Sequence, residues 1–252
     1  MAPPDPTSGR PDALAFVLLL TVLSLPFYVL GATVGADLLP GVPVSALMAA
    51  CPAIAALVLA ERRSKGGAVR LLARLTDGAL VRPFAWWAAI SLLPLAVVLP
   101  PGGPEFAALA PASLLLLLAL TAGFLLPAAA EELGWTGWLQ SALQVQGGWI
   151  LAGLIGGLAR AIWHLIPWAQ GGRDAPWIAG QCAFTIAARL ILSFLYARAG
   201  PSVAAAALFH AAVNGAVFWL PAVGGVYDPW AAAAAATAAC VLLPLGRRAL
   251  TK

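Results

Sequence analysis

Eight apolar runs without a charged residue dominate this sequence and limit what the chain can fold into. Most approach or exceed the roughly 20 residues that an α-helix needs to cross a bilayer. Hydrophobic residues make up 62% of the chain and charged residues only 10%, whereas soluble domains carry about a quarter charged residues. We therefore predict an all-α fold, a polytopic integral membrane helical bundle of about eight transmembrane helices. The runs cover residues 13–32, 41–60, 83–104, 106–130, 133–159, 175–188, 199–227 and 229–246.

The polar, proline-rich residues 1–12 predict a disordered tail ahead of a single transmembrane domain over residues 13–252. The first apolar run is longer than the roughly 7 to 15 residues in the core of a cleavable signal peptide, so we expect a retained membrane helix. The three cysteines lie far apart within apolar runs. They indicate neither a disulfide framework nor a thiolate metal site.

Basic residues indicate the orientation of the bundle. Six of the 14 Lys and Arg residues lie between positions 62 and 82, which is typical of a short cytoplasmic loop. Alternating sides from that loop predicts a multi-pass protein of the cell membrane with both termini cytoplasmic and mainly acidic outer loops. Membrane lipid is the expected partner, and no nucleic acid is expected, because a juxtamembrane loop explains the excess positive charge. Within it, segment 69–80 fits an interfacial amphipathic helix or a solvated loop helix equally well.

Six ionisable residues lie in or beside the apolar runs, where each costs roughly 2.5 to 3.5 kcal/mol on insertion scales and therefore needs a partner or a function. They include both histidines of the chain. A single intramembrane histidine is explained equally well by a hydrogen bond between helices, but two histidines with an acidic pair indicate a site. The six residues are Glu131, Glu132, Arg160, His164, Arg189 and His210.

Glu131 and Glu132 are adjacent, and successive helical positions point about 100° apart. We therefore expect that the two carboxylates cannot face the same partner, so that one works while the other is held. The alternative is a pair of acids that ends a helix at the cytoplasmic interface. Trp135, Trp138 and Leu139 continue the helical pattern, which favours a helix that runs on past the acids.

His210 and Asn214 are four residues apart, as are Arg160 and His164, so each pair shares one helical face. Depth poses a difficulty for a common site. At about 1.5 Å rise per residue, His210 lies roughly 12 Å from a helix start near Ser202, whereas His164 lies roughly 22 Å from Trp149. The two meet only if the fifth span starts deeper or tilts, which the glycine-rich stretch 153–157 permits.

Three segments resemble the CPBP family of intramembrane proteases, which includes the type II CAAX prenyl endopeptidases and bacteriocin self-immunity relatives. The family motifs are Glu-Glu-x-x-x-Arg, Phe-x-x-x-His and His-x-x-x-Asn. They correspond here to Glu131–Glu132 with Thr136, to Arg160 with His164, and to His210 with Asn214. The resemblance covers about residues 114–219.

Two positions depart from the family pattern, because Thr136 replaces the motif arginine and Arg160 replaces the phenylalanine. Arg160 lies on the His164 face and is predicted to supply the missing guanidinium, with Arg189 as a second candidate. Arginine suits this role because its fork binds a carboxylate through two hydrogen bonds. The alternative is that both arginines neutralise buried acid without a part in catalysis.

The resemblance implies an intramembrane endopeptidase that hydrolyses a peptide bond in a membrane-associated peptide or protein. Glu131 would activate water, His164 would help position it, and His210 and Asn214 would stabilise the oxyanion, while Glu132 is held by an arginine. No cofactor is expected, since Asn214 suits an oxyanion better than a cation. Zinc on Glu131, His164 and His210 is the alternative, because three such ligands match a catalytic zinc site.

Two other functions remain open from the sequence. A catalytically inactive scaffold or bacteriocin-immunity protein would keep the fold, with Thr136 marking the decay of the site. A transporter or proton relay would use the same Glu, His and Arg residues as a path through the membrane.

Overall fold

A computed structural model describes residues 9–39, 41–76, 111–198 and 202–250. The predicted span 83–104 and residues 1–8 of the predicted tail lie outside the described residues. Residues 9–12 correct the tail prediction, because helix α1 begins at Gly9. The first turn of a helix accepts proline, since its N–H groups have no intrahelical partner.

The described chain is almost entirely helical. A short hairpin joins α1 to α2, and a 3₁₀ turn precedes α2. A π-helix separates α4 from α5, and a second 3₁₀ turn follows α7. The helices are α1 (Gly9–Val34), α2 (Cys51–Arg63), α3 (Gly67–Ala73), α4 (Pro111–Glu132), α5 (Ser141–Gln170), α6 (Ala175–Arg198), α7 (Val203–Trp219) and α8 (Pro229–Leu250). The other elements are β1 (Asp37–Leu39), β2 (Val42–Pro43), the 3₁₀ turns Val44–Ala50 and Leu220–Val223, and the π-helix Leu133–Gln140.

Five helical segments of the described chain are long and apolar enough to cross a membrane, and Pro229–Val241 forms a shorter apolar helix. The predicted helical membrane bundle is confirmed, whereas the number of eight spans stays a prediction. The five segments are Ala13–Val34, Val44–Arg63, Pro111–Gln170, Ala175–Ala197 and Val203–Ala222.

The segment Pro111–Gln170 has 60 residues, which as one straight helix would measure about 90 Å, three times the hydrocarbon thickness. It bends at Gly147 and Gly148, where Gly148 has φ 69° and ψ −171°. This corrects the predicted span 133–159. Residues 133–146 continue from α4, and the next crossing starts after the glycine pair, because only glycine readily adopts that backbone conformation.

This bend also resolves the predicted difference in depth between the histidines. Trp149, the first residue after the bend, packs on Phe194 with ring centroids 5.2 Å apart. Ser193 Oγ donates a hydrogen bond of 2.5 Å to the Trp149 carbonyl. The second leg of α5 therefore starts beside the interior of α6, not at the end of the bundle.

The helices pack as two units with the candidate site between them. One unit pairs α4 with α7, and the other joins α6 to both α5 and α8. Close approach of α5 to α6 needs Gly157, since a Cβ there would lie 2.8 Å from the Ile186 Cα. Glycine at this position of the stretch 153–157 thus lets the two helices pack closely.

The two ends of the bundle differ in charge. We call acidic the end whose turns carry Asp37, Asp174 and Asp228 together with Arg173, and basic the end where Arg62 lies in the last turn of α2 and Lys65 lies in the α2–α3 turn. Hydrogen bonds join the helix termini at the acidic end. They run from Gln170 to the Tyr28 carbonyl (2.9 Å), from Trp230 to the Pro176 carbonyl (3.1 Å) and from Trp219 to the Ser113 carbonyl (2.8 Å).

At the basic end, α3 covers only part of the predicted segment 69–80, and residues 77–80 lie outside the described chain. Val69 is exposed and Leu71 is buried. The two arginines of the segment separate, because Arg70 binds Ser64 whereas Arg74 donates to the Gly137 carbonyl at 2.6 Å. Helix α3 is therefore attached to the π-helix that follows the acidic pair.

Candidate active site

The acidic pair lies where α4 becomes the π-helix, in the interior of the bundle. Glu131 is 6% exposed and Glu132 is fully buried. The helix continues past both acids, so the alternative of a helix that ends at the interface is wrong. Short π-helical segments often occur at functional sites.

Arg160 contacts both carboxylates of the pair. Its Nη2 donates to Glu131 Oε2 at 2.9 Å, and its Nη1 donates to Glu132 Oε1 at 3.0 Å. The prediction that the two acids cannot share a partner is therefore wrong. The two amino groups of one guanidinium point in different directions, so a single arginine bridges two carboxylates that diverge from neighbouring helical positions.

Arg189 of α6 holds Glu132 from the other side. Its Nη1 lies 2.7 Å from Glu132 Oε2 and 3.1 Å from Thr136 Oγ1. Thr136 in turn donates to Glu132 Oε2 at 2.5 Å. Arg160 of α5 and Arg189 of α6 thus both contact the acids. Thr136, which stands where the family motif has an arginine, hydrogen-bonds with Glu132 and with Arg189.

His210 is placed against Arg160 and Glu132. Arg160 Nη2 lies 2.7 Å from His210 Nε2, and since guanidinium only donates, Nε2 acts as an acceptor. Arg160 Nη2 also lies 3.2 Å from His210 Nδ1, which in turn lies 3.4 Å from Glu132 Oε1. Both ring nitrogens thus lie beside charged groups of the cluster, and the role of His210 as an oxyanion donor stays a prediction.

His164 faces Glu131 from one turn beyond Arg160. Its Nδ1 lies 3.0 Å from the Arg160 carbonyl, an acceptor, so Nδ1 carries the hydrogen and Nε2 keeps its lone pair. That Nε2 lies 4.0 Å from Glu131 Oε2. The ring stacks on Trp168 with centroids 5.1 Å apart and an angle of 17°. Two acceptors at this separation suit one water that donates a hydrogen to each.

A cavity of about 110 Å³ lies beside these groups. It has room for a few waters at about 30 Å³ each, and is smaller than the roughly 300 to 1,000 Å³ of typical ligand pockets. The polar lining residues are Glu131, Arg160, His164, Gln181, Thr185, His210 and Asn214.

Arg160 lies among the residues proposed for zinc, with Nη2 2.9 Å from Glu131 Oε2 and 2.7 Å from His210 Nε2. Glu131 faces His164 and Glu132 faces His210, with the Arg160 guanidinium between the pairs. Among the described residues, no three His, Cys, Asp or Glu side chains are grouped to hold a metal ion. This donor set fits a fixed cation, Arg160, better than a metal at the predicted ligands.

A second polar cluster, made of uncharged side chains, lies between the π-helix and α6 and was not predicted from the ionisable residues. Gln140 donates to Ser193 at 2.5 Å, and both side chains are buried. Arg74 joins Ser141 and Tyr196 in a further group at the basic end. Uncharged polar residues inside apolar runs were the available signal for Gln140 and Ser193.

Residues 111–216 match the family model described as type II CAAX prenyl endopeptidase Rce1-like. The resemblance to CPBP family membrane proteases is confirmed. The match includes every predicted site residue from Glu131 to Asn214 and covers less than half of the chain. Its bounds differ by three residues at each end from the predicted core 114–219. No curated protein matches the chain.

Proposed function

We propose that this chain is an intramembrane endopeptidase that hydrolyses a peptide bond in a membrane-associated peptide or protein. The unequal surroundings of the two glutamates carry this proposal. Glu132 is bound by two arginines and Thr136, whereas Glu131 lines the cavity and contacts Arg160 through one oxygen. Glu131 is therefore the group that meets water, and Glu132 holds the cations.

Glu131 acts as the general base in the proposed reaction. A water held between Glu131 Oε2 and His164 Nε2 gives a proton to Glu131 while its oxygen attacks the carbonyl carbon of the substrate. The C–N bond then breaks, and the amine leaves with the proton that Glu131 holds. Atoms and charges balance without a redox partner.

The negative charge on the carbonyl oxygen needs donors that already face the cavity. Asn214 lines the cavity with an amide that donates, and Arg160 lines it with a charged guanidinium. His210 contributes by fixing Arg160 through the 2.7 Å contact. Asn214 is thus the proposed oxyanion donor, Arg160 supplies positive charge beside it, and His210 is a positioning residue.

Cleavage of a fluorogenic membrane-anchored peptide by the purified protein in lipid nanodiscs tests this function. Glu131→Gln should abolish turnover and keep folding, because the amide cannot accept the proton from water. Glu61→Gln is the matched control, since Glu61 lies in the exposed α2–α3 region. Full activity of Glu131→Gln would rule out the proposed base. Loss of wild-type activity with a chelator, reversed by zinc, would replace the scheme with the zinc alternative.

An inactive scaffold or immunity protein is the second candidate, and one contact favours it. The 2.9 Å hydrogen bond from Arg160 occupies Glu131 Oε2, the oxygen that would have to accept the proton from water. Absence of cleavage by the wild type over a broad set of membrane peptides would favour this function. Solute uptake driven by a pH gradient in vesicles would instead favour the transporter or proton relay.

We propose the cell membrane as the location, with the basic end and both termini in the cytoplasm. The segregation of Arg62, Lys65 and Arg70 from Asp174 and Asp228 supports this orientation, because basic loops stay on the cytoplasmic side. Lipid and a membrane-associated substrate are the proposed partners, and nucleic acid is not among them.

A further inference from the structure

Exposure along the helices that line the cavity rises toward the acidic end. On α5, Arg160 is 8% exposed, the His164 side chain is 18% exposed, and Trp168, one turn further, is partly exposed. On α6, Thr185 is buried and Gln181, one turn closer to the acidic end, is partly exposed.

Helix α7 shows the same trend. His210 is 7% exposed, and Asn214, one turn closer to the acidic end, is partly exposed. On all three helices the exposure of the cavity-lining residues thus increases toward the acidic end. This holds although α5 and α7 run from the basic end to the acidic end and α6 runs the opposite way.

Toward the basic end the space is closed by buried side chains. Leu192 is 3% exposed and Arg189 is 1% exposed. Behind them, Gln140 donates to Ser193, and Ser193 donates to the Trp149 carbonyl, each at 2.5 Å. A path for substrate through this end would have to break these buried hydrogen bonds.

The partly exposed end of the cavity is surrounded by aromatic residues. Trp168, Trp177 and Tyr227 follow one another with ring centroids 6.2 Å apart. Tyr227 donates to Gln181 at 2.7 Å, and burial raises the pKa of the Tyr227 phenol, so it stays a donor. Tryptophan and tyrosine are enriched where a protein crosses the boundary between lipid and water. This aromatic mouth therefore lies at the membrane surface of the acidic end.

We infer that the cavity is entered from the acidic end, so that its substrate is a peptide segment of a membrane-anchored protein presented at the extracytoplasmic face. The peptide part of this inference rests on the proposed function. The direction of entry rests on burial and hydrogen bonding, and the assignment of faces rests on the distribution of charge.

Thiol labelling tests the direction of entry without requiring catalysis. Gln181→Cys and Thr185→Cys place a thiol at the mouth and one turn further in, in a background whose native cysteines are replaced by serine. Asp174→Cys reports the acidic end and Lys65→Cys the basic end. Each variant is treated with a small, charged, membrane-impermeant thiol reagent in right-side-out and inside-out membrane vesicles. The replaced cysteines are Cys51, Cys182 and Cys240.

We expect Gln181→Cys and Thr185→Cys to be labelled in the vesicles that label Asp174→Cys, and to lose labelling in those that label Lys65→Cys. We also expect right-side-out vesicles to label Asp174→Cys. Labelling of the two cavity positions from the Lys65 face, or from neither face, would overturn the inference. Repeating the experiment with Glu131→Gln should give the same pattern, so a failed protease assay does not affect the result.

Discussion

At the scale of single residues, the site is a buried, electrically balanced cluster. Glu131 and Glu132 face Arg160 and Arg189, so two negative charges meet two positive charges. Removal of one partner from a buried ion pair leaves an uncompensated charge, which is strongly destabilising. Glu132, Arg160 and Arg189 therefore have a structural role in addition to any role in catalysis, whereas Glu131→Gln leaves Arg160 with Glu132 as its ionic partner.

Arg160→Phe, which restores the family residue at that position, should lower the unfolding free energy by about 3 to 5 kcal/mol and abolish activity, because both glutamates lose a cation. Adding Thr136→Arg should not rescue this variant. Thr136 contacts Glu132 and Arg189, so an arginine there would give Glu132 a second cation and leave Glu131 without the contact that Arg160 makes. Thermal unfolding in nanodiscs measures both effects, with the exposed Arg62→Gln as a control. Recovery of the double variant to wild-type stability would show that Arg160 alone replaced the motif arginine.

Thr136→Val removes the hydroxyl that Glu132 and Arg189 share and changes the side-chain volume little. We expect a loss of about 1 to 3 kcal/mol, since buried hydrogen-bonding groups lose a partner. Thr136→Ser keeps the hydroxyl and should retain most of the stability. Equal stability of the valine and serine variants would mean that this hydroxyl does not support the cluster.

At the scale of elements, the continuous helical run from α4 to α5 is shaped by two departures from α-helical geometry. The π-helix follows the acidic pair and brings Thr136 to Glu132. The bend at Gly148 reverses the chain so that Arg160 and His164 return to the acids. The Glu131–Glu132 motif and the Arg160–His164 motif are thus brought together by the bend at Gly148, which lies between them in the sequence.

Gly148→Ala tests the bend, with Gly123→Ala as a matched control. A Cβ at either position has nothing within 4 Å, so the two substitutions differ in backbone conformation. At Gly148 the φ of 69° and ψ of −171° lie in a region that is essentially restricted to glycine, and we expect a loss of about 1 to 3 kcal/mol. Gly123 lies inside α4, where alanine should be neutral or stabilising by about 1 kcal/mol. Equal unfolding temperatures for the two variants would contradict the bend.

At the scale of the whole molecule, the distribution of charge and the position of the cavity together define two faces. The basic end is closed by buried polar contacts between α5, α6 and the π-helix. The acidic end carries the aromatic mouth. An enzyme with this arrangement would meet substrate on the face opposite its basic loops.

The orientation predicts the behaviour of reporter fusions. A fluorescent protein that folds only in the cytoplasm should be bright when fused to either terminus of the full chain. A phosphatase that is active only outside the cytoplasm should be active when fused after Gly224, at the acidic end. Phosphatase activity at the full-length C-terminus would reverse the assignment of faces.

The amino-acid pattern alone predicts a helical membrane protein and indicates which residues gather in its interior. Uncharged runs of bilayer length leave a helical bundle as the practical choice, because lipid offers no hydrogen bonds to the backbone. Ionisable residues are costly in such runs, so the few that occur predict a site. Glu131, Glu132, Arg160, His164 and His210 could be grouped on that ground alone, and the structure places them within one cluster.

The pairing of groups within that cluster is visible only in the folded chain. Helical spacing indicated that the glutamates diverge, but not that the two amino groups of Arg160 reach both. Nor could periodicity separate the predicted span 133–159 from a π-helix followed by a bend at Gly148, since both are apolar and helical along the sequence. Pairing depends on rotamers and on the approach of helices distant in sequence, and neither leaves a periodic signal. The opening of the cavity toward the acidic end likewise could not be predicted from the sequence, because it follows from how α5, α6 and α7 pack.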